Sequence, residues 1–359
     1  MISGARILKT GIAVTISMYI CVLLNIEPAI FAGAAAFLNL QPSLGKSFYN
    51  ALEQILTHFV AIGIAIMLGL TIGGHPLVMG LGTILVILIC NRFEWRSSLS
   101  GAIMATIFVL ASPPDQFLNH AFIRSLAIFI GVGSALLVNI TIARPHYEMP
   151  LRQKLIALNK FIMAHFNQVV QNYLQLTPPP PQTLKQLNKK AGKFFNEVHD
   201  YYGLYKHDLG ILDDDGKINR KTKTKFYRDY LNYNRGLWQR TKDIFFLAQE
   251  RDKRRKETGN LPPSEDFEEI LELINSTLEL LNQYNQQLQK KILGATTTYV
   301  EEPHIWSKLD QIIKQWQGYH HDKGSDHLHA LIEVSLITYK IRWAAKESAR
   351  LLDFKTNLN

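Results

Sequence analysis

The chain has 359 residues, a net charge of +9 and two cysteines, and its average composition conceals two populations. Residues 1–145 carry seven basic and four acidic side chains, and by difference from the totals the remainder carries 32 and 26, so a membrane block precedes a soluble block. Cys21 and Cys90 lie in apolar segments, which argues against a disulfide framework, and the basic excess is spread along helices without any zinc-finger or RNA-binding motif, which argues against a nucleic-acid reader and fits a domain beside an anionic leaflet.

Gaps between charges set the expected spans. Thr10–Ile26 is the first, an uncleaved segment whose small-residue patch lies too far along for a signal peptide. Pro28–Gly45 is the second. Gln54–Asn91 lacks Asp, Glu, Lys and Arg over 38 residues, and Gly73-Gly74-His75-Pro76 divides it into the third and fourth. Ser97–Pro114 is the fifth, and about Phe122–Ala143 is the sixth. Each approaches the roughly 20 residues that a bilayer requires. With the N-terminus in the cytoplasm, Arg6, Lys9, Lys46, Arg92, Arg96 and Arg144 all fall on inner segments, and the outer turns around Glu27, His75 and Asp115 carry no Lys or Arg. Both termini and the soluble block are then cytoplasmic.

The second span organises the block. It opens on small residues, Ala32 to Ala36, that let helices approach closely. It then places Asn39 and Gln41 at membrane depth and breaks at Pro42, ahead of Ser43. Such a helix lines a path, or it ends at the inner surface with its amides bonded to a neighbour. SGAIMATIFVLASPP, ending at Pro113-Pro114, echoes it, and Glu53 and Arg124 each follow their proline by 11 residues. Three spans per unit make the second unit inverted, a plan found among transporters. Arg124 is the basic residue expected inside a span. It is a candidate to attract an organic anion, with pairing to Asp115 or snorkelling as the structural alternative. Glu27, Glu53 and Asp115 are candidate proton carriers, each also readable as an interface residue, and His58 either assists them or packs.

The soluble block reads as helices throughout, expected to form an antiparallel bundle. Leu151, Leu155, Leu158, Ile162, Phe166, Val169 and Tyr173 make one apolar stripe. Pro178 to Pro181 form a stiff connector. Helices follow at about Thr183–Lys206 and Ile218–Glu257, then one capped by Ser264, and two more at Glu302–Gly318 and His327–Leu352. Asp213-Asp214-Asp215-Gly216 lacks the terminal Glu of a calcium loop and reads as a turn. Aromatics from Phe194 to Trp238, interleaved with Lys221, Lys223, Lys225 and Arg228, read as bundle packing or as a site for an aromatic acid. His320, His321, Asp326, His327 and His329 read as a loop cluster without metal-binding spacing. No phosphate-cradling glycine loop or nucleophile elbow is present, so an enzyme and a nucleotide-driven pump are both disfavoured, and no cofactor is expected.

GARILKTGIAV (4–14), IFAGAAAFLNLQPS (30–43), GGHPLVMGLG (73–82), SPPDQFLNHAFIR (112–124) and ARPHYE (143–148) resemble the aromatic acid exporter family, in its single six-span form with a C-terminal helical domain, related to fusaric acid resistance proteins. The resemblance implies a bacterial cell-membrane protein, surrounded by lipid, that exports small organic anions, aromatic carboxylates above all, on the proton gradient. Longer relatives carry the membrane unit twice, so a homodimer or higher homo-oligomer is implied. Gln41, Pro42, Ser43, Pro113, Pro114, Asp115 and Arg124 fall on motif positions, and Asn39 adds a polar group beside them. A membrane-anchored interaction or sensing protein, its helical bundle binding a partner, is the alternative.

Overall fold

A computed structural model describes residues 2–113, 116–142, 147–207, 216–257, 265–298 and 320–354, with residues 259, 307, 310, 311 and 314. Eleven helices and no strand occur among them. The chain divides into two units, residues 1–147 with 204–209, and the rest of residues 148–359.

The first unit holds α1 (Ile2–Leu23), α2 (Ile30–Asn39), α3 (Leu44–Thr71), α4 (Pro76–Arg92), α5 (Leu99–Leu110) and α6 (Phe117–Thr141). By length and composition, α3 and α6 are apolar enough to cross a membrane, and the other four are shorter apolar helices. Charge gaps misplaced several ends. The second segment is helical only to Asn39, and α3 begins at Leu44, taking Lys46 and Glu53 into its length. The reason is local chemistry: Ser43 caps α3 by accepting from the Lys46 N–H, and Glu53 is buried against backbone donors, so neither charge marks a boundary.

α2 packs on α6 and α1, α5 on α3 and α4, α1 also on α6, α4 also on α3, and α3 on α6. Small residues permit this. A Cβ on Gly131 would stand 2.2 Å from the Ala32 carbonyl oxygen and 2.8 Å from the Ala35 Cβ, so α6 meets α2 backbone to backbone. Outward faces carry large apolar side chains such as Tyr19, Phe37, Phe59, Leu77, Leu88 and Phe122, all exposed. A water-soluble unit of this size does not display so much apolar surface.

The second unit comprises α7 (Glu148–Leu174), α8 (Pro181–His207), α9 (Gly216–Glu257), α10 (Glu265–Ile292) and α11 (His320–Leu352). Pro181 opens α8, where its missing N–H is harmless. The His320–His329 stretch lies in the first turns of α11 rather than on a loop. Asp213 to Asp215, Ser264 and most of the 302–318 segment lie outside the described residues. Lys154 meets Glu197 and Phe161 meets Phe194, so α8 runs against α7. Arg152 meets Tyr227, Asn159 meets Asn234 and Arg251 meets Tyr173, so α7 and α9 run parallel. Asn159 meets Asn285 and Gln171 meets Asn275, so α10 runs against α7. Arg254 meets Glu333 and Tyr233 meets Ser348, so α11 runs against α9. α8 carries the chain back between the parallel pair α7 and α9, so α7, α8, α9 and α10 alternate in direction. Buried amides set the register: Asn159 donates to Asn234 and Asn285 at 2.9 and 3.0 Å and accepts from Asn285 and Gln289 at 2.9 and 2.8 Å.

Glu148 starts α7 within a charged knot. Burial opposes its ionisation, but hydrogen bonds from Arg152 and Tyr227 and the nearby Lys223 ammonium outweigh that and hold its carboxyl below the ordinary value of 4.5. In the interval between the folded and unfolded values the folded chain binds fewer protons. Its contribution is therefore full above about 4.5 and lost as pH falls through that interval. We expect Glu148→Gln to destabilise the second unit by about 3 kcal/mol at pH 6, because buried Arg152 then loses the carboxylate it is hydrogen-bonded to. Thermal unfolding followed by aromatic fluorescence should show that gap narrowing as pH falls below about 4.5. A gap independent of pH would assign the loss to packing.

Candidate functional site

Among the described residues of the first unit, buried polar side chains run along the contact between α3 and α6. At the end where α2 gives way to α3, Lys9 of α1 donates to Asn139 of α6 at 3.2 Å. Asn139 donates to the Ser47 hydroxyl at 2.8 Å and the Gln41 carbonyl at 3.2 Å. Ser47 donates to the Asn39 carbonyl at 3.0 Å. Asn39 itself donates to the Ala35 carbonyl at 2.8 Å and to the Gln54 side chain. The Tyr147 hydroxyl closes on the Pro42 carbonyl. This network satisfies the backbone that Pro42 interrupts, which is the condition for irregular chain inside an apolar block.

One turn further along α3, Glu53 is buried, and one carboxylate oxygen accepts from the Ser97 and Ser98 N–H groups at 2.8 and 3.1 Å. Those groups stand at the start of α5. A carboxylate there satisfies orphan donors and meets the positive end of the helix dipole.

His58 is the fifteenth of the 28 residues of α3 and is buried. Its Nε2 lies 3.0 Å from the Ser125 hydroxyl of α6, and that hydroxyl donates its single proton to the Ala121 carbonyl at 2.7 Å. Ser125 can therefore only accept from His58, which fixes the tautomer with the proton on Nε2. Nδ1 makes no hydrogen bond among the described residues, and Phe129 packs edge-on against the ring at 6.1 Å.

Arg124 precedes Ser125 on α6. Its guanidinium carbon lies 5.3 Å from the centroids of both Phe31 of α2 and Phe108 of α5, and those rings meet edge to face at 5.2 Å. Nε and Nη1 are buried, yet neither has a hydrogen-bond partner among the described residues. Phe31 is the second residue of α2, whose N-terminus has no side-chain cap and no acidic residue in its first turn. Two sources of positive potential, a guanidinium and a helix N-terminus, thus adjoin, and among the described residues no carboxylate pairs with that guanidinium.

The structure brings Asn39, Gln41, Pro42 and Ser43 together at one end of the α3–α6 contact and sets Arg124 toward the other. Glu53 lies between them as a helix cap. Glu27 is exposed on the α1–α2 connection, and Pro113 is exposed beyond α5. Pro114 and Asp115 lie outside the described residues, and with them the pairing of Arg124 with Asp115. Sequence reading placed Lys9 on a flank, whereas it is buried and bonded to Asn139. Asn139, Phe31 and Phe108 had escaped notice. Asn139 was findable as a lone amide deep in an apolar run, but the two phenylalanines carry no such mark.

Residues 1–142 match the family model described as aromatic acid exporter family member 1. Through this block the chain is similar to the aromatic acid exporter family. Curated relatives include the UPF0421 protein YgaE of Bacillus subtilis (strain 168), 29% identical over 234 residues that cover 65% of each chain. A UPF0421 protein of Staphylococcus epidermidis (strain ATCC 12228 / FDA PCI 1200) is 27% identical over 189 residues, 52% of this chain and 57% of that one. The UPF0421 protein OB2406 of Oceanobacillus iheyensis is 25% identical over 151 residues, 42% of this chain and 43% of its own. These matches span less than two thirds of each relative's length. The match to this family model and the apolar helices, two of them long enough to cross a membrane, point to a membrane protein.

Proposed function

We propose that the chain is a secondary transporter that exports small organic anions, aromatic carboxylates among them, through the polar contact between α3 and α6. The observation that carries this reading is Arg124, a half-buried cation held on two aromatic faces, whose buried Nε and Nη1 have no hydrogen-bond partner among the described residues. A carboxylate would meet those donors, and an aromatic ring would stack with Phe31 and Phe108. On this reading all six helices cross the bilayer, the shorter ones reaching their ends through the connecting loops. Both termini and the second unit lie on the cytoplasmic side of a bacterial cell membrane. The proton gradient drives export, and a homodimer or higher oligomer is the working form.

Packing supports an inverted repeat of α1–α3 and α4–α6. Exchanging the halves turns the α2–α6 contact into α5–α3, the α1–α6 contact into α4–α3 and α1–α2 into α4–α5, and each of these contacts is present. The same exchange relates Glu53 to Arg124. Glu53 reaches the start of α5, and Arg124 reaches Phe31 at the start of α2. One half supplies its own carboxylate at that place. The other leaves a cation, where a substrate carboxylate would sit.

The test is transport by purified protein in sealed vesicles under a pH gradient, with benzoate and its ring-substituted derivatives compared against acetate. Aromatic anions should move at least about tenfold faster, the factor expected from one or two stacking contacts. Equal rates would refute a role for the rings, and no movement of any anion by folded protein would refute transport.

A further inference from the structure

We infer that Lys9 is a second anion-binding residue, which holds a small organic carboxylate at the end of the α3–α6 contact far from Arg124. The inference rests on the proposed transport reading and adds a second station to the same route. Lys9 is only 6% exposed. Among the described residues its ammonium has one partner, the Asn139 side-chain oxygen at 3.2 Å, and no carboxylate pairs with it. An ammonium carries three N–H donors, so two are left over. A charge buried in an apolar block is ordinarily paired, and this one faces a neutral amide.

The polar groups around Lys9 are already engaged with one another. Asn139 donates to the Ser47 hydroxyl and the Gln41 carbonyl, which fixes its oxygen toward Lys9. Ser47 donates to the Asn39 carbonyl and accepts from the Gln41 N–H at 3.0 Å. A carboxylate can meet the two remaining ammonium protons without displacing any of these bonds. Gln41 and Pro42 are both half-buried, so the network reaches the surface at the break between α2 and α3. One turn along, Ala13 on the Lys9 face of α1 and Ala135 on the Asn139 face of α6 share an apolar cluster with Ala36, Leu40 and Val138. A cation beside an apolar wall suits a carboxylate with a hydrocarbon body better than an inorganic anion. Positions 124 and 139 of α6 stand about 22 Å apart along its axis. No single-ring carboxylate spans that distance, so Lys9 and Arg124 serve separate positions, and an anion moving along the contact meets a cation at each.

Benzoate is the probe, and its binding to the detergent-solubilised full chain is read by equilibrium dialysis. The Arg124→Ala chain, which lacks the other cation, should still bind benzoate. Adding Lys9→Gln, which keeps a donor for Asn139 but removes the charge, should weaken that binding at least about tenfold, the worth of a hydrogen bond to a charged group. Lys9→Arg in its place keeps the charge and should hold the affinity within about threefold. Wild-type protein gives a second measure that needs no variant. Benzoate should slow acylation of the Lys9 amine by an amine-reactive ester, read by peptide mass spectrometry, and leave exposed Lys46 unaffected. Loss of all binding in Arg124→Ala, binding that survives Lys9→Gln unchanged, or acylation of Lys9 that ignores benzoate each overturns the inference while leaving the Arg124 site standing. No binding by the wild type overturns the anion reading itself, and this inference with it.

Discussion

Arg124→Ala should reduce export of aromatic carboxylates to the rate of protein-free vesicles while the protein still folds. The guanidinium Nε and Nη1 are buried without a hydrogen-bond partner, so removing them strands no internal group. What disappears is the charge that a substrate carboxylate would meet. Losing one side of a desolvated ion pair costs about 3 kcal/mol, which is more than a hundredfold in affinity. Arg124→Lys should recover only part of this. An ammonium keeps the charge but lacks the planar fork that lies on Phe31 and Phe108 while its edge stays open to a carboxylate. Export measured for the three proteins at equal vesicle content is the check. Unchanged export by Arg124→Ala would remove this residue from the path.

Gly131→Val should prevent the membrane domain from assembling. Even a Cβ at this position stands 2.2 Å from the Ala32 oxygen, a backbone atom that no rotamer change can move. Relief requires α2 and α6 to separate, which opens the contacts of Ala35, Ile128 and Val132. Overpacking of this kind costs about 1–3 kcal/mol where side chains can yield and more where backbone must move. Gly133→Val makes the control. It lies two residues on, and nothing stands within 4 Å of its ideal Cβ. Detergent-extracted yield and monodispersity should fall sharply for Gly131→Val alone. Equal behaviour of the two variants would show that the α2–α6 approach is not tight.

How much of this was legible beforehand depended on whether one residue type carried the signal. Pro42 marked the break after α2, Pro178 to Pro181 marked the start of α8, and apolar periodicity marked α7 and α10. Glu53 misled, because a carboxylate was read as a boundary when its role depends on Ser97 and Ser98 backbone donors 44 and 45 residues away. Lys9 misled in the same way, since its partner Asn139 lies 130 residues further on. Which helices of the second unit pack together was hidden as well. Amphipathic stripes show which face is buried but not which neighbour covers it, and the parallel α7–α9 pair depends on how α8 returns the chain. Of the site, Arg124 could be picked out by charge, whereas Phe31 and Phe108 look like any lipid-facing phenylalanine until the fold sets them on either side of it.

The rings that hold Arg124 have a consequence for turnover. Most buried cations in proteins carry a resident counter-ion, and an incoming ligand must evict it before it can bind. Here the guanidinium rests on two π-faces, an attraction of about 0.5–2 kcal/mol that orients the group without consuming its N–H donors. Phe31 and Phe108 thus act as a cradle rather than a competitor. On the proposed reading an arriving anion would meet a cation already aimed, and a departing one would leave it supported rather than stranded. Loading and unloading would then be nearly symmetric, as a carrier needs and a storage site does not.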